Sequence, residues 1–193
     1  MPFQPPEPIE AERVRVRLLA EPDLPALFAV NSDDAVTALL PYATWKTPAD
    51  GEAWFKRMTD LQATGLALQF VVVDKASDRA IGTVLLFRLE EGSARAELGY
   101  VLGRAHWGRG LMREALGALL DRAFGAMALR RLEAEVDVRN AASARVLQRL
   151  GFTREGLLRQ RWVSKGEAKD VEIFGLLHDE WPAAADRLFG RRQ

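Results

Sequence analysis

The sequence predicts an α/β layer protein built on a mostly antiparallel sheet. Three observations carry that prediction. Runs of period two and runs of helical period share one chain without a linker or internal repeat, their order is βααβββαβαββ, and one long helical stretch joins two strands that must then run parallel.

Arg13-Val-Arg-Val-Arg-Leu18 alternates charged and apolar residues, as a half-buried strand does. Glu21-Pro22-Asp23 opens a helix, with proline in the first turn where its missing N–H costs little. Leu24, Leu27, Phe28 and Val30 give that helix a buried face, and a short helix follows around 34–40. Residues 31–45 are otherwise irregular. A longer helix from Thr47-Pro48 to about Thr64 puts Trp54, Phe55, Met58 and Leu61 on one stripe.

The period then changes to two. Residues 69–74 and 81–87 form a hairpin around Lys75-Ala-Ser-Asp-Arg79, and 95–102 is the next strand. From Gly108 to Met127 a helix carries two adjacent apolar rows. They are Leu111, Ala115, Leu119, Ala123 and Met127, then Met112, Leu116, Leu120 and Phe124. Such a helix lies on a sheet. Residues 131–138 alternate almost without fault, Asn140 to Leu150 is a short helix closed by Gly151, and a hairpin over 155–163 and 168–177 turns at Lys165-Gly166. The prolines at 2, 5, 6 and 8 mark 1–12 as an extended tail, leaving one domain over 13–182 and a second tail over 183–193.

Composition narrows the chemistry. Lys+Arg 27 against Asp+Glu 27 leaves no net charge, which argues against a nucleic-acid partner. The chain has no cysteine, and its two histidines, His106 and His178, leave little for a metal site or a serine triad. No apolar run approaches the roughly 20 residues that span a bilayer. The first residues lack the basic and apolar pattern of a signal peptide, so a cytoplasmic protein without metal or membrane partner is expected.

Two stretches carry chemistry. In Leu102-Gly-Arg-Ala-His-Trp-Gly-Arg-Gly-Leu-Met112 a strand ends, two glycines stand one residue apart and a long helix begins. Glycines there let backbone approach a ligand, and the first helical N–H groups are unpaired, an arrangement suited to phosphate. A tight strand-to-helix turn would need the same glycines. No Gly-Lys-Ser/Thr follows, and the third glycine of a dinucleotide fingerprint would fall at Arg113. In Asn140-Ala-Ala-Ser143, with Gly151-Phe152 beyond, Asn140 reads as an N-cap, Ser143 as the third helical residue and Gly151 as a C-cap. Helix capping alone accounts for all three.

In this order the two stretches resemble the GNAT superfamily of acetyltransferases, and within it the RimJ/RimL-type protein N-terminal acetyltransferases. The residues that carry the likeness are Glu97-Leu-Gly-Tyr100, Trp107-Gly-Arg-Gly-Leu-Met112 with Glu114-Ala115, Asn140-x-x-Ser143 and Leu150-Gly-Phe152. Gly166, Asp170 and Glu180-Trp181 also fit, so the likeness spans about 13–182. It implies a three-layer fold with a sheet of about seven strands, helices on both faces and a splayed parallel pair at the CoA site. It implies acetyl-CoA as co-substrate, with backbone N–H groups of Trp107, Gly108, Arg109, Gly110, Leu111 and Met112 on the pyrophosphate, pantetheine against the strand edge near Leu102, and Asn140 in contact from the neighbouring helix. Trp107 and Met112 depart from the residues usual there, and where many relatives place an acid tyrosine this chain has Leu147. Ser143 is the substitute the RimL-like branch suggests for protonating the thiolate.

For a base, Glu97 lies on the strand beside the cleft, in phase with Gly99 and Val101; Glu172 and His106 are further candidates. A solvated carboxylate accounts for Glu97 as well. Tyr42 and Trp45 are placed to wall an acceptor pocket or to anchor their loop in the core. The expected reaction is direct attack by an amine on acetyl-CoA in a ternary complex, with a protein N-terminal α-amine as acceptor. A small amine (polyamine, amino acid or aminoglycoside) and a non-catalytic acyl-CoA-binding module are the alternatives. A homodimer is compatible with the sequence.

Overall fold

Why Phe70-Val-Val-Val73 is an unbroken apolar run becomes plain from where residues 67–74 lie. In the computed structural model, which describes residues 7–190 and of 187–189 the backbone alone, they form a central strand covered on both faces. The strands are β1 (Ile9–Glu10), β2 (Val14–Leu18), β3 (Ala67–Asp74), β4 (Arg79–Glu90), β5 (Arg95–Leu102), β6 (Arg131–Asp137), β7 (Thr153–Ser164) and β8 (Glu167–Leu177). They make one sheet in the order β1-β2-β3-β4-β5-β6-β8-β7. The helices are α1 (Leu24–Asn31), α2 (Asp34–Thr37), α3 (Pro48–Ala63), α4 (Leu111–Phe124), α5 (Ala141–Arg149) and α6 (Trp181–Phe189).

Side chains alternate across β3. Phe70 and Val72 join Val16, Val84 and Leu86 in the larger core, which the buried faces of α4 complete. Val71 and Val73 pack on the opposite face with Leu27 of α1 and Trp45. All nine residues of the two rows foreseen on α4 are buried in the larger core. The sheet therefore has helices on both faces. No helix among the described residues is long and apolar enough to cross a membrane.

Every strand pairing is antiparallel except β5 with β6, the two joined by α4. That parallel pairing covers only Arg95↔Arg131, Ala96↔Leu132 and Glu97↔Glu133. Beyond Glu97 each strand keeps its outer neighbour, β5 pairing β4 through Leu102 and β6 pairing β8 through Asp137, while the two part from each other. The sheet is thus open along one internal seam, the splay expected from the family resemblance.

Several boundaries differ from those read in the sequence: the short helix read around 34–40 ends at Thr37, and α4 ends at Phe124, short of Met127. The sheet has eight strands instead of seven, because Ile9–Glu10 pairs with β2 and Ile9 is buried in the core; the tail expected over 1–12 is ordered from there, and residues 1–6 lie outside the described residues. The tail expected from 183 is instead the continuation of α6, with Pro182 in its first turn and Trp181 and Ala185 buried. Helix α4 starts at Leu111, not Gly108, because Gly108 and Gly110 take φ of +72° and +76°. The hairpin strands β7 and β8 are longer than expected, though the turn is at Lys165-Gly166 as foreseen, both residues at positive φ as a two-residue hairpin loop requires.

Candidate active site

Two sheet faces meet at the seam, and each carries different chemistry. On β5, Ala96 and Leu98 belong to the α4 core, with Tyr100 and Leu102 packed on it. Glu97, Gly99 and Val101 therefore point to the other face, where Val101 meets Val30 and Val36 of α1 and α2. The same alternation on β6 puts Ala134 and Val136 in the core and Glu133 and Glu135 beside Glu97.

That second face holds a cavity of about 440 Å³. Arg88 donates to Glu97 at 2.6 Å, Arg161 to Glu135 at 3.0 Å, and Trp162 Nε1 donates to Glu135 at 2.7 Å. Arg95 pairs with both Glu90 and Glu133. Arg88 and Gln160 stand at φ +50° where the β4–β5 and β7–β8 registers slip. These bulges bring their strands' guanidiniums over the acidic floor. Burial pushes the Glu97 carboxyl above the usual carboxylate range; Arg88 opposes that and Glu135 adds to it.

At the far end of β5, Gly103, a short 3₁₀ turn over Arg104–His106 and the loop 107–110 lead into α4. Trp107 N–H bonds to the Arg104 carbonyl, so its backbone is not available as the anion donor foreseen for it. The N–H groups of Gly108, Arg109, Gly110, Leu111 and Met112 have no backbone partner among the described residues. Leu111 and Met112 bury their side chains in the core, so what they offer a ligand is main chain. With the helix dipole, this set of donors fits a diphosphate.

Arg13 also lies here, unforeseen. Glu114 of α4 accepts its N–H at 2.5 Å and its Nε at 2.7 Å, and Arg13 Nη1 donates to the Arg109 carbonyl at 3.0 Å. One cation from the residue just before β2 is thereby held against the loop. The Leu102 carbonyl, expected to meet pantetheine, accepts instead from Trp107 Nε1 at 2.7 Å. Trp107 is 47% exposed, and its indole occupies one of the two lone pairs of that carbonyl.

On the α4 side of the seam, Asn140 caps α5 by accepting the Ser143 N–H at 3.1 Å, which is the structural role read from the sequence. The half-buried Ser143 side chain meets the Tyr100 hydroxyl at 2.8 Å. Leu147, where many relatives carry tyrosine, is fully buried. Tyr42 donates to Asn31 Oδ1 at 2.9 Å, and Asn31 donates to the Leu27 carbonyl, which ties the irregular loop to α1. Trp45 is buried in the smaller core, its ring 5.4 Å from that of Trp54. It packs as a core anchor and is not among the residues lining the acidic cavity, where the sequence had allowed a pocket wall. Glu172 pairs with Arg154 at 2.7 Å. His106 buries Nδ1 without a hydrogen-bond partner.

A sheet opened between two parallel strands, with a helix starting at the seam on an N–H-rich glycine loop, defines an acyl-CoA-dependent transferase fold. Residues 13–153 match the acetyltransferase (GNAT) domain family, and the chain belongs to that family. It is an acetyl-CoA-dependent N-acetyltransferase. An uncharacterized N-acetyltransferase, p20 of Bacillus licheniformis, is 34% identical over 91% of this chain and 98% of its own length. The ribosomal-protein-serine acetyltransferase of Escherichia coli strain K12 is 32% identical over 62% of this chain and 65% of its own. The crystal structure of a GCN5-related N-acetyltransferase from Brucella melitensis superposes with a TM-score of 0.88 at 29% identity, covering 98% of this chain and 86% of that one.

Proposed function

We propose that the chain acetylates the α-amine of a protein or peptide N-terminus, with the amine entering on the Glu97 face and the thiolate leaving on the Ser143 face. The observation that carries this reading is the alternation along β5, which sets Glu97 and Tyr100 on opposite sides of the seam. Bound acetyl-CoA supplies the thioester. The chain holds its diphosphate on the loop 108–112, lines the opened edges of β5 and β6 along it, and fixes the two reactants in one geometry, the largest contribution such a site makes to a bimolecular step. Glu97 accepts a proton from the amine and Ser143 Oγ–H gives one to sulfur; the net change moves one N–H proton to S–H.

Charge and acidity support an α-amine. Every cavity glutamate already faces a guanidinium: Glu90 and Glu133 face Arg95, Glu97 faces Arg88 and Glu135 faces Arg161. A polyamine carrying several charges would find few unmatched carboxylates there. An α-amine, with pKa near 7.7–8.0, is neutral in roughly one molecule in six to eleven at pH 7, while a lysine amine near 10.4 is neutral about once in 2,500. A site whose candidate base Glu97 is tied to an arginine suits the first. The likeness to the Escherichia coli ribosomal-protein-serine acetyltransferase supports a protein as acceptor.

A panel of peptides, lysine derivatives and polyamines, scored by CoA release, tests this. Peptide α-amines are expected to show the highest kcat/KM at neutral pH, rising with pH and levelling near the α-amine pKa. A clear preference for a polyamine or lysine side chain over every peptide would overturn it.

A second expectation concerns Glu97. Its proton-accepting form is the ionised one, and burial raises its pKa, so activity should fall as pH drops through a value above the ordinary carboxylate range. In Glu97→Gln that limb of the kcat/KM profile should vanish and the titration of the amine alone should remain. An unchanged acid limb would remove Glu97 from the reaction.

A further inference from the structure

The Tyr100 hydroxyl crosses from β5 to the first turn of α5, three residues past the last β5–β6 pair, and meets Ser143 twice. It lies 2.8 Å from Ser143 Oγ and 3.1 Å from the Ser143 carbonyl oxygen. A phenol has one proton and can donate to only one of these at a time. When it donates to the carbonyl, the serine proton turns toward the phenol oxygen and is spent. When it donates to Oγ, the serine proton is released to point elsewhere, into the seam.

We propose that Tyr100 is a positioning residue for Ser143, donating into Ser143 Oγ so that the serine hydroxyl is aimed at the departing sulfur. The inference rests on Ser143 as the proton donor. Tyr100 moves no proton overall: the serine proton goes to sulfur as the C–S bond breaks, and solvent returns to the serine the proton the amine has lost. Burial pushes the Tyr100 phenol upward, so it remains protonated throughout the working range and serves as a steady donor while being a poor acid itself. The backbone supports the same aim. Ser143 N–H is held by Asn140, leaving the side-chain rotor as the one part of Ser143 still to be set.

The test is a double-mutant cycle on Tyr100→Phe and Ser143→Ala, read in three ways: kcat, acetyl-CoA Kd, and the thiol pKa of bound CoA from its ultraviolet thiolate absorbance. Tyr100→Phe keeps the half-buried ring and removes one oxygen, and its melting temperature checks the fold. It should lower kcat about tenfold, a fraction of the usual effect of an acid–base group, and leave Kd within about twofold. A hydroxyl donating to thiolate lowers the thiol pKa, so the bound-CoA value should rise in Tyr100→Phe toward that of Ser143→Ala. The double variant should be no worse than Ser143→Ala. Wild-type kcat and thiol pKa in folded Tyr100→Phe, or losses that multiply in the double variant, would overturn the positioning role while leaving Ser143 in place. If Ser143→Ala itself changes neither kcat nor the thiol pKa, the donor reading fails and this inference falls with it.

Discussion

Ser143→Ala is expected to lower kcat about 10²-fold, the lower end of what a positioned acid–base group contributes. That is about 2.7 kcal/mol of barrier. Affinity for acetyl-CoA should barely change, since the loop at 108–112 that would hold the diphosphate is a separate element from α5. Stability should also be nearly unaffected. The cap on α5 runs from Asn140 Oδ1 to the backbone N–H of residue 143, and alanine keeps that N–H. Rapid-quench or steady-state kinetics beside thermal melting therefore separate the two roles. Retained kcat in the variant would leave Ser143 as a helix-start residue alone.

Gly110→Val should weaken acetyl-CoA binding tenfold or more, which corresponds to about 1.4 kcal/mol or greater. Gly110 caps α4 at φ +76°, and the nearest atom to a side chain added there is Arg13 Nη2 at 3.7 Å. The fold has room for the substitution, but the left-handed backbone would be strained by about 1–3 kcal/mol, and the branched side chain would stand over the first N–H groups of the helix. Gly166→Val is the control. It has φ +78° and open space around it, in a hairpin turn of β7 and β8. Titration calorimetry should show the loss at 110 and none at 166. Undiminished affinity in folded Gly110→Val, or an equal loss at 166, would remove the loop as the anion site.

How far the sequence could be read differs between its parts. The two apolar rows of α4 were legible because an i, i+4 repeat over four turns leaves one way to bury them, and their residues all lie in the larger core. The parallel pair followed from the helix between its strands. The two-residue strand at Ile9–Glu10 was not legible, since nothing local marks it; it exists because β2 and the core receive it. The tail read over 183–193 missed α6, in whose first turn Pro182 costs no hydrogen bond. In the site, Glu97 was placed on its face by period two alone. Tyr100 lay within the motif Glu97-Leu-Gly-Tyr100 and, by the same count, on the opposite face. Its partner is 43 residues away and beyond any periodic rule. Trp45 and Tyr42 sit in a segment without periodicity, so only tertiary contact assigns them, and both are drawn inward.

The open seam between β5 and β6 is also a thermodynamic statement. An unpaired strand edge is a row of backbone donors and acceptors, a feature proteins usually place at the rim and guard. Here two such edges face each other inside the sheet, and on the proposed reading the extended arm of the co-substrate would take the place of a missing strand. Folding and cofactor supply are then coupled by mass action. At a ligand concentration a hundredfold above Kd the folded state gains about 2.7 kcal/mol, a large share of the stability of an ordinary domain. The melting temperature of this protein should therefore climb with acetyl-CoA concentration. A cell depleted of that metabolite would hold a less durable enzyme as well as an idle one.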